Sequence, residues 1–222
     1  MKLFKSDSSR GFTLIEILIV SSLTIFLTLN LLSNFIRSRL NISEVARIVV
    51  SDIRTAQANT LSSKQFKDPI TGLITYRCGY GLHKLDSSES AAQNPPIPVN
   101  SAYFIFVGRV AQSSGCPAAN NAYQPSQDSL VVFTRVLDAR LELLSPTTGN
   151  EARFDDIYFK VPDGQIFINN QHDPDQTNPA RKNKAQIIIR KIGAVCPSSN
   201  CVYICVYAKG KIETRNTVCD PI

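Results

Sequence analysis

At 222 residues the chain is too short for two full globular domains, and long enough for a membrane segment plus one domain of about 150 residues. Its hydrophobic content of 43% is ordinary for a folded protein, but the apolar residues crowd into a block near the N-terminus. The formal net charge is +6, to which residues 1–11 contribute Lys2, Lys5 and Arg10 against Asp7.

From Phe12 to Leu32 the only ionisable side chain is Glu16. A helix over this range would span roughly 30 Å, so the pattern predicts a transmembrane segment. The basic leader then predicts a cytoplasmic N-terminus and an exported remainder, a single-pass protein of the cytoplasmic (inner) membrane. No small-residue cleavage pattern follows the apolar core at Ser33-Asn34-Phe35-Ile36-Arg37, so a secretory signal peptide is not indicated. An acid inside such a segment is costly and implies a partner or a task.

The stretch Arg10-Gly11-Phe12-Thr13-Leu14-Ile15-Glu16 resembles the processing signature of type IV prepilins and pseudopilins. The resemblance covers about the first 55 residues. It implies that a prepilin peptidase/methylase cuts between Gly11 and Phe12 and methylates the new N-terminal Phe12. It also implies that Glu16, the fifth mature residue, meets the N-terminal ammonium of a neighbouring subunit during assembly. Glycine before the scissile bond suits this independently, because it removes a side chain from the peptidase's approach and lets the segment extend. Pairing would neutralise two charges that an apolar surrounding penalises. The partners implied are the peptidase, other pilin or pseudopilin subunits, membrane lipid and the inner-membrane assembly platform.

Helical periodicity continues through Ile42, Val45, Val49, Ile53 and Ala56, with Ile48 beside them and Arg47, Asp52, Arg54 and Gln57 between. One helix from about residue 12 to residue 63 is therefore expected, its outer half packed on a sheet. Pro69 and Gly72 end the helical pattern. Beyond them, short runs rich in β-branched and aromatic residues predict strands at 73–78 with 81–85, 102–107, 130–136, 140–144, 157–161, 165–168, 185–191, 202–208 and 211–214. Val161-Pro162-Asp163-Gly164 and Ala208-Lys209-Gly210 read as hairpin turns. Residues 87–100, 112–128 and 169–183 read as polar loops.

The expected fold is α+β, a pilin-like long N-terminal helix on an antiparallel β-rich head. Its parts are a leader (1–11), a transmembrane and assembly helix (12–32), an amphipathic continuation (33–65) and an exported head (66–222). Ser51-Asp52-Ile53-Arg54-Thr55-Ala56-Gln57-Ala58 and Tyr158-Phe159-Lys160-Val161-Pro162-Asp163-Gly164 are similar to segments of H-type minor pseudopilins of type II secretion and FimT-like minor pilins. The head shows no obvious cysteine pair closing a C-terminal loop, which also points to a minor subunit.

All six cysteines, Cys78, Cys116, Cys196, Cys201, Cys205 and Cys219, lie in the head, as disulfides in an oxidising compartment would require. Their spacing does not suit a metal site. Six cysteines allow fifteen connectivities, of which a Cys196–Cys201 bridge across a turn is one candidate. His83 and His172 lie far apart in sequence, and no nucleophile motif accompanies either, so no catalytic residue, metal or cofactor is expected. An anchored enzyme would need one of these histidines joined to a nucleophile or metal. Asp173-Pro174-Asp175-Gln176-Thr177-Asn178 lacks the glycine and closing glutamate of a calcium loop. Basic residues gather at Arg181, Lys182 and Lys184, with Arg190, Lys191, Lys209, Lys211 and Arg215 beyond, which makes DNA the alternative partner and a DNA-uptake tip pilin the alternative function.

Overall fold

The computed structural model describes residues 13–38, 42–69, 71–112, 115–116, 121–125, 130–144, 154–172 and 184–219, and the side chains of 31–38 are not described. The chain divides into two compact units, Met1–Asn41 and Ile42–Ile222.

The first unit contains helix α1 (Leu14–Ser38). Its first turn is closed by Thr13, whose carbonyl accepts from the Glu16 and Ile17 amides at 3.0 and 3.2 Å. Ser21, Ser22, Thr24, Thr28 and Asn30 bond back to carbonyls three or four residues earlier, which satisfies their side chains without a tertiary partner.

The second unit is built on α2 (Ile42–Leu61), which lies on two antiparallel sheets. In chain order the strands are β1 (Phe66–Lys67), β2 (Ile74–Thr75), β3 (Gly79–Lys84), β4 (Ala102–Val107), β5 (Leu130–Val136), β6 (Leu141–Leu144), β7 (Asp156–Lys160), β8 (Gln165–Ile168), β9 (Lys184–Lys191), β10 (Cys201–Tyr207) and β11 (Ile212–Arg215), with a short helix α3 (Ser87–Ala92) after β3. One sheet has the order β5-β4-β3-β7-β8 and the other β11-β10-β9-β6, while β1 and β2 form a separate hairpin. The turns at Gly164 and Gly210 take positive φ (68° and 95°), the conformation glycine adopts most cheaply.

Period and burial agree along α2. Ile42, Val45, Val49, Ile53 and Ala56 are buried against Leu82, Tyr103, Ile157, Phe159, Ile187, Ile204 and Val206 from both sheets, while Ile48 stays exposed. Asp52, which the sequence pattern assigns to the polar side of the helix, is instead buried at 8% exposure. Two polar ties seat the helix. Asp52 takes bonds from β4 and β5, and the Thr60 hydroxyl accepts from the Tyr80 amide at 3.1 Å while bonding the Ala56 carbonyl at 2.9 Å.

Two expectations are corrected here. The pilin-like fold, with one long helix over about 12–63 whose first half crosses a bilayer, is replaced by a mostly β-rich domain of three sheets, and α1 and α2 are separate helices. Among the described residues no helix is long and apolar enough to cross a membrane. The single-pass inner-membrane location, with its cytoplasmic N-terminus, falls with that segment.

Candidate functional site

Glu16 stands in the first turn of α1, surrounded by apolar side chains facing outward. Leu14 is 79% exposed, Ile15 68% and Phe26 67%, and Ile17, Leu18, Val20, Leu23, Ile25 and Leu29 are each more than half exposed. These positions cover the whole circumference of the helix. An all-round apolar helix is ordinarily buried against something. Among the described residues no ion pair reaches Glu16. Gly11 and Phe12, the expected processing junction, lie outside the described residues, as do Arg181, Lys182 and the loop 173–178.

Lys184 is the one described member of the expected DNA-contact trio. It begins β9, is 6% exposed, and its Nζ donates to the Cys219 carbonyl at 3.2 Å. A lysine so buried braces the C-terminal segment and is withdrawn from the surface a polyanion would touch.

The cysteines form three disulfides, Cys78–Cys116, Cys196–Cys201 and Cys205–Cys219. The second closes the turn between β9 and β10. The third ties β10 to the C-terminal segment, so the head does carry a cysteine pair closing a C-terminal loop. Cys201, Cys205 and Cys219 pack with Tyr203 and Tyr207 in a small core of their own.

His83 is the most elaborate titratable group of the second unit. It lies on β3, directly opposite Asp156 of β7 and Phe104 of β4. Its Nδ1 is 2.8 Å from Asp156 Oδ1 and its Nε2 2.8 Å from Glu89 Oε2. The ring lies 4.8 Å from both Phe104 and Tyr123. Glu89 is placed by α3, whose capping box has Asp86 accepting from the Glu89 amide and Glu89 accepting from the Asp86 amide. Burial alone would push the imidazole below its ordinary value of 6.5, but the hydrogen bonds and charges of Asp156, then of Glu89, push it above. A carboxylate at each nitrogen favours the doubly protonated ring, the form in which both nitrogens donate. Both carboxylates consume the ring's hydrogen-bonding capacity, leaving no nitrogen to activate a nucleophile. His172 Nδ1 bonds the Ile166 carbonyl at 2.7 Å, and its ring lies 5.2 Å from Phe167. Among the described residues no group of three or more His, Cys, Asp or Glu could hold a metal ion.

The burial of His83 and Asp52 escapes sequence reasoning because Asp156 and Arg135, which hold them in the sheet, lie 73 and 83 residues away. The Asp86-Ser87-Ser88-Glu89 spacing, by contrast, is a legible helix-start signal. Compared with known proteins, the chain matches no family model, no curated protein and no solved structure.

Proposed function

We propose that this chain is a minor pilin-like structural subunit of a type IV pilus or type II secretion pseudopilus, cut after Gly11 by a prepilin peptidase and assembled through α1. The observation that carries the reading is the bare apolar circumference of α1 with one carboxylate in its first turn. Helices of neighbouring copies would cover that surface, and burying a Leu or Ile side chain is worth about 1.5–3 kcal/mol each. Within such a bundle Glu16 would need an opposite charge, and cleavage before Phe12 creates one, the new N-terminal ammonium. The resemblance of residues 10–16 to the prepilin signature supplies the same pairing. The disulfide-braced second unit would then be the part the filament displays.

The test is the intact mass of the protein and of a Gly11→Ala variant, each from cells with and without prepilin peptidase. Loss of residues 1–11 together with gain of one methyl group, dependent on both the enzyme and Gly11, is expected. A chain that keeps its leader in peptidase-positive cells would overturn the reading.

A further inference from the structure

A groove of about 440 Å³ runs between α2 and β11, walled on one side by Arg47, Ser51, Arg54 and Thr55 and on the other by Ile212, Glu213 and Thr214. Its β11 side is a sheet edge, since β11 is the outermost strand of its sheet. The Tyr207 amide donates to the Lys211 carbonyl at 2.9 Å. Alternation along an antiparallel pair then turns the main-chain groups of Lys211, Glu213 and Arg215 toward β10, and those of Ile212 and Thr214 outward. Among the described residues the groove therefore presents an unpaired N–H and C=O from each of two residues, a ready template for one more strand.

The opposite wall carries the charge. Arg47 and Arg54 are exposed, and neither has an ion-pair partner among the described residues. Glu213 is the one acid along the groove, but its side chain alternates with those of Ile212 and Thr214 to the face shared with Cys205 and Tyr207, where Lys211 Nζ at 2.7 Å, Arg215 Nε at 2.9 Å and the Tyr207 hydroxyl at 2.9 Å engage it. With that carboxylate bound by two cations, the local balance is positive. The Ser51 hydroxyl lies on the same wall, while the Thr55 hydroxyl already donates to the Ser51 carbonyl at 2.8 Å.

We propose that this groove docks an extended acidic peptide segment of a partner protein, which adds as an outer strand to β11 and sets its carboxylates against Arg47 and Arg54. Strand addition fixes affinity through main-chain bonds, and alternate side chains fix specificity. Guanidinium pairs with carboxylate through two parallel bonds, which favours a peptide bearing aspartate or glutamate on one face. A nucleic acid would answer the arginines but leave the outward groups of Ile212 and Thr214 without strand partners. The groove lies within residues 42–222 and stands whether or not the chain is cut after Gly11.

The test uses the full chain in mild detergent and a fluorescein-labelled heptapeptide alternating aspartate with valine. Three probes compete: its counterpart N-methylated at alternate amides, its lysine counterpart, and a single-stranded oligonucleotide of equal charge. Binding that weakens at least about tenfold on N-methylation, and again in an R47E/R54E double variant, is expected. Hydrogen exchange at the Ile212 and Thr214 amides of the unaltered protein should slow when the acidic peptide is bound. Failure of the acidic peptide to bind, or exchange at those amides unchanged by it, would overturn the proposal. So would equal binding of the N-methylated peptide or stronger binding of the oligonucleotide, either of which would mark a general polyanion surface.

Discussion

The tie between Asp52 and the five-stranded sheet gives a sharp test of how α2 is seated. The Tyr103 hydroxyl donates to Asp52 Oδ2 at 2.6 Å, Arg135 Nε donates to the same oxygen at 3.1 Å, and Arg135 Nη2 donates to Oδ1 at 3.1 Å. Tyr103 has no solvent exposure, whereas the Arg135 side chain is 42% exposed. In Asp52→Ala, Arg135 can turn to water but Tyr103 cannot. An orphaned buried hydroxyl costs about 1–3 kcal/mol, and the half-exposed ion pair adds at most about 1 kcal/mol after solvent screening. A loss of about 3 kcal/mol follows, equivalent to roughly 6–12 °C in Tm for a chain of this size. In Tyr103→Phe the carboxylate keeps Arg135, and the loss should be nearer 1 kcal/mol. The double variant has no orphan, so it should be more stable than the sum of the single losses predicts by about 1–2 kcal/mol. Urea unfolding read by tyrosine near-ultraviolet circular dichroism measures all three, since the chain has seven tyrosines and no tryptophan. A loss below about 0.5 kcal/mol in Asp52→Ala, or simple additivity in the double variant, would refute the reasoning.

Three further perturbations follow from the same geometry. His83 has a folded-state pKa above its ordinary 6.5, so its contribution is fully present below about pH 6.5 and is lost as pH rises through the raised folded value. Urea midpoints should therefore fall with rising pH above that point, and His83→Gln should flatten this part of the profile; an unchanged slope would exclude the pairing of His83 with Asp156 and Glu89 as its source. A Cβ on Gly81 would lie 2.5 Å from Phe106 Cζ and 2.8 Å from the Ile157 carbonyl oxygen, so Gly81→Ala should cost about 1–3 kcal/mol by overpacking, read as a lowered Tm. Replacing Cys205 and Cys219 by serine opens a loop of sequence separation 14 and should cost about 3 kcal/mol, read as a lowered urea midpoint once intact mass shows the other two disulfides formed.

Most strands were legible because β-branched and aromatic runs between glycine, proline and asparagine leave little choice of structure. Leu130–Val136 and Gln165–Ile168 fall where the pattern puts them, and Lys184–Lys191 begins one residue early. Helix limits were less legible. The apolar repeat predicts one helix through residue 63, yet Asn41 stands three residues before Glu44, a start signal that periodicity alone overlooks. Residues 87–100 read as a loop because prolines dominate the second half, while the capping residues Asp86 and Glu89 place α3 in the first. The burial of Asp52 and His83 depends on which strands become neighbours. No local pattern encodes that, so a charged residue between apolar positions reads as solvated until the sheet order is known.

The two units bear different kinds of perturbation, and the chemistry of the chain separates them. Every tyrosine, from Tyr76 to Tyr207, belongs to the second unit, as do all three disulfides and the Asp52 and His83 clusters. The tyrosine near-ultraviolet signal thus reports the packing of that unit, and α1, whose aromatic residues are phenylalanines, adds nothing to it. A change at Gly11 or Glu16 that abolishes processing or assembly should leave the signal and its urea midpoint untouched. A change at Asp52 or Gly81 should move both while leaving the proposed Gly11–Phe12 cleavage site chemically intact. If a Glu16 variant lost assembly and also lowered the urea midpoint, the two units would be energetically coupled, and its assembly defect could no longer be read as the loss of one charge. An unchanged midpoint confines the defect to α1, where the remaining explanation is the exposed apolar surface and the carboxylate it surrounds.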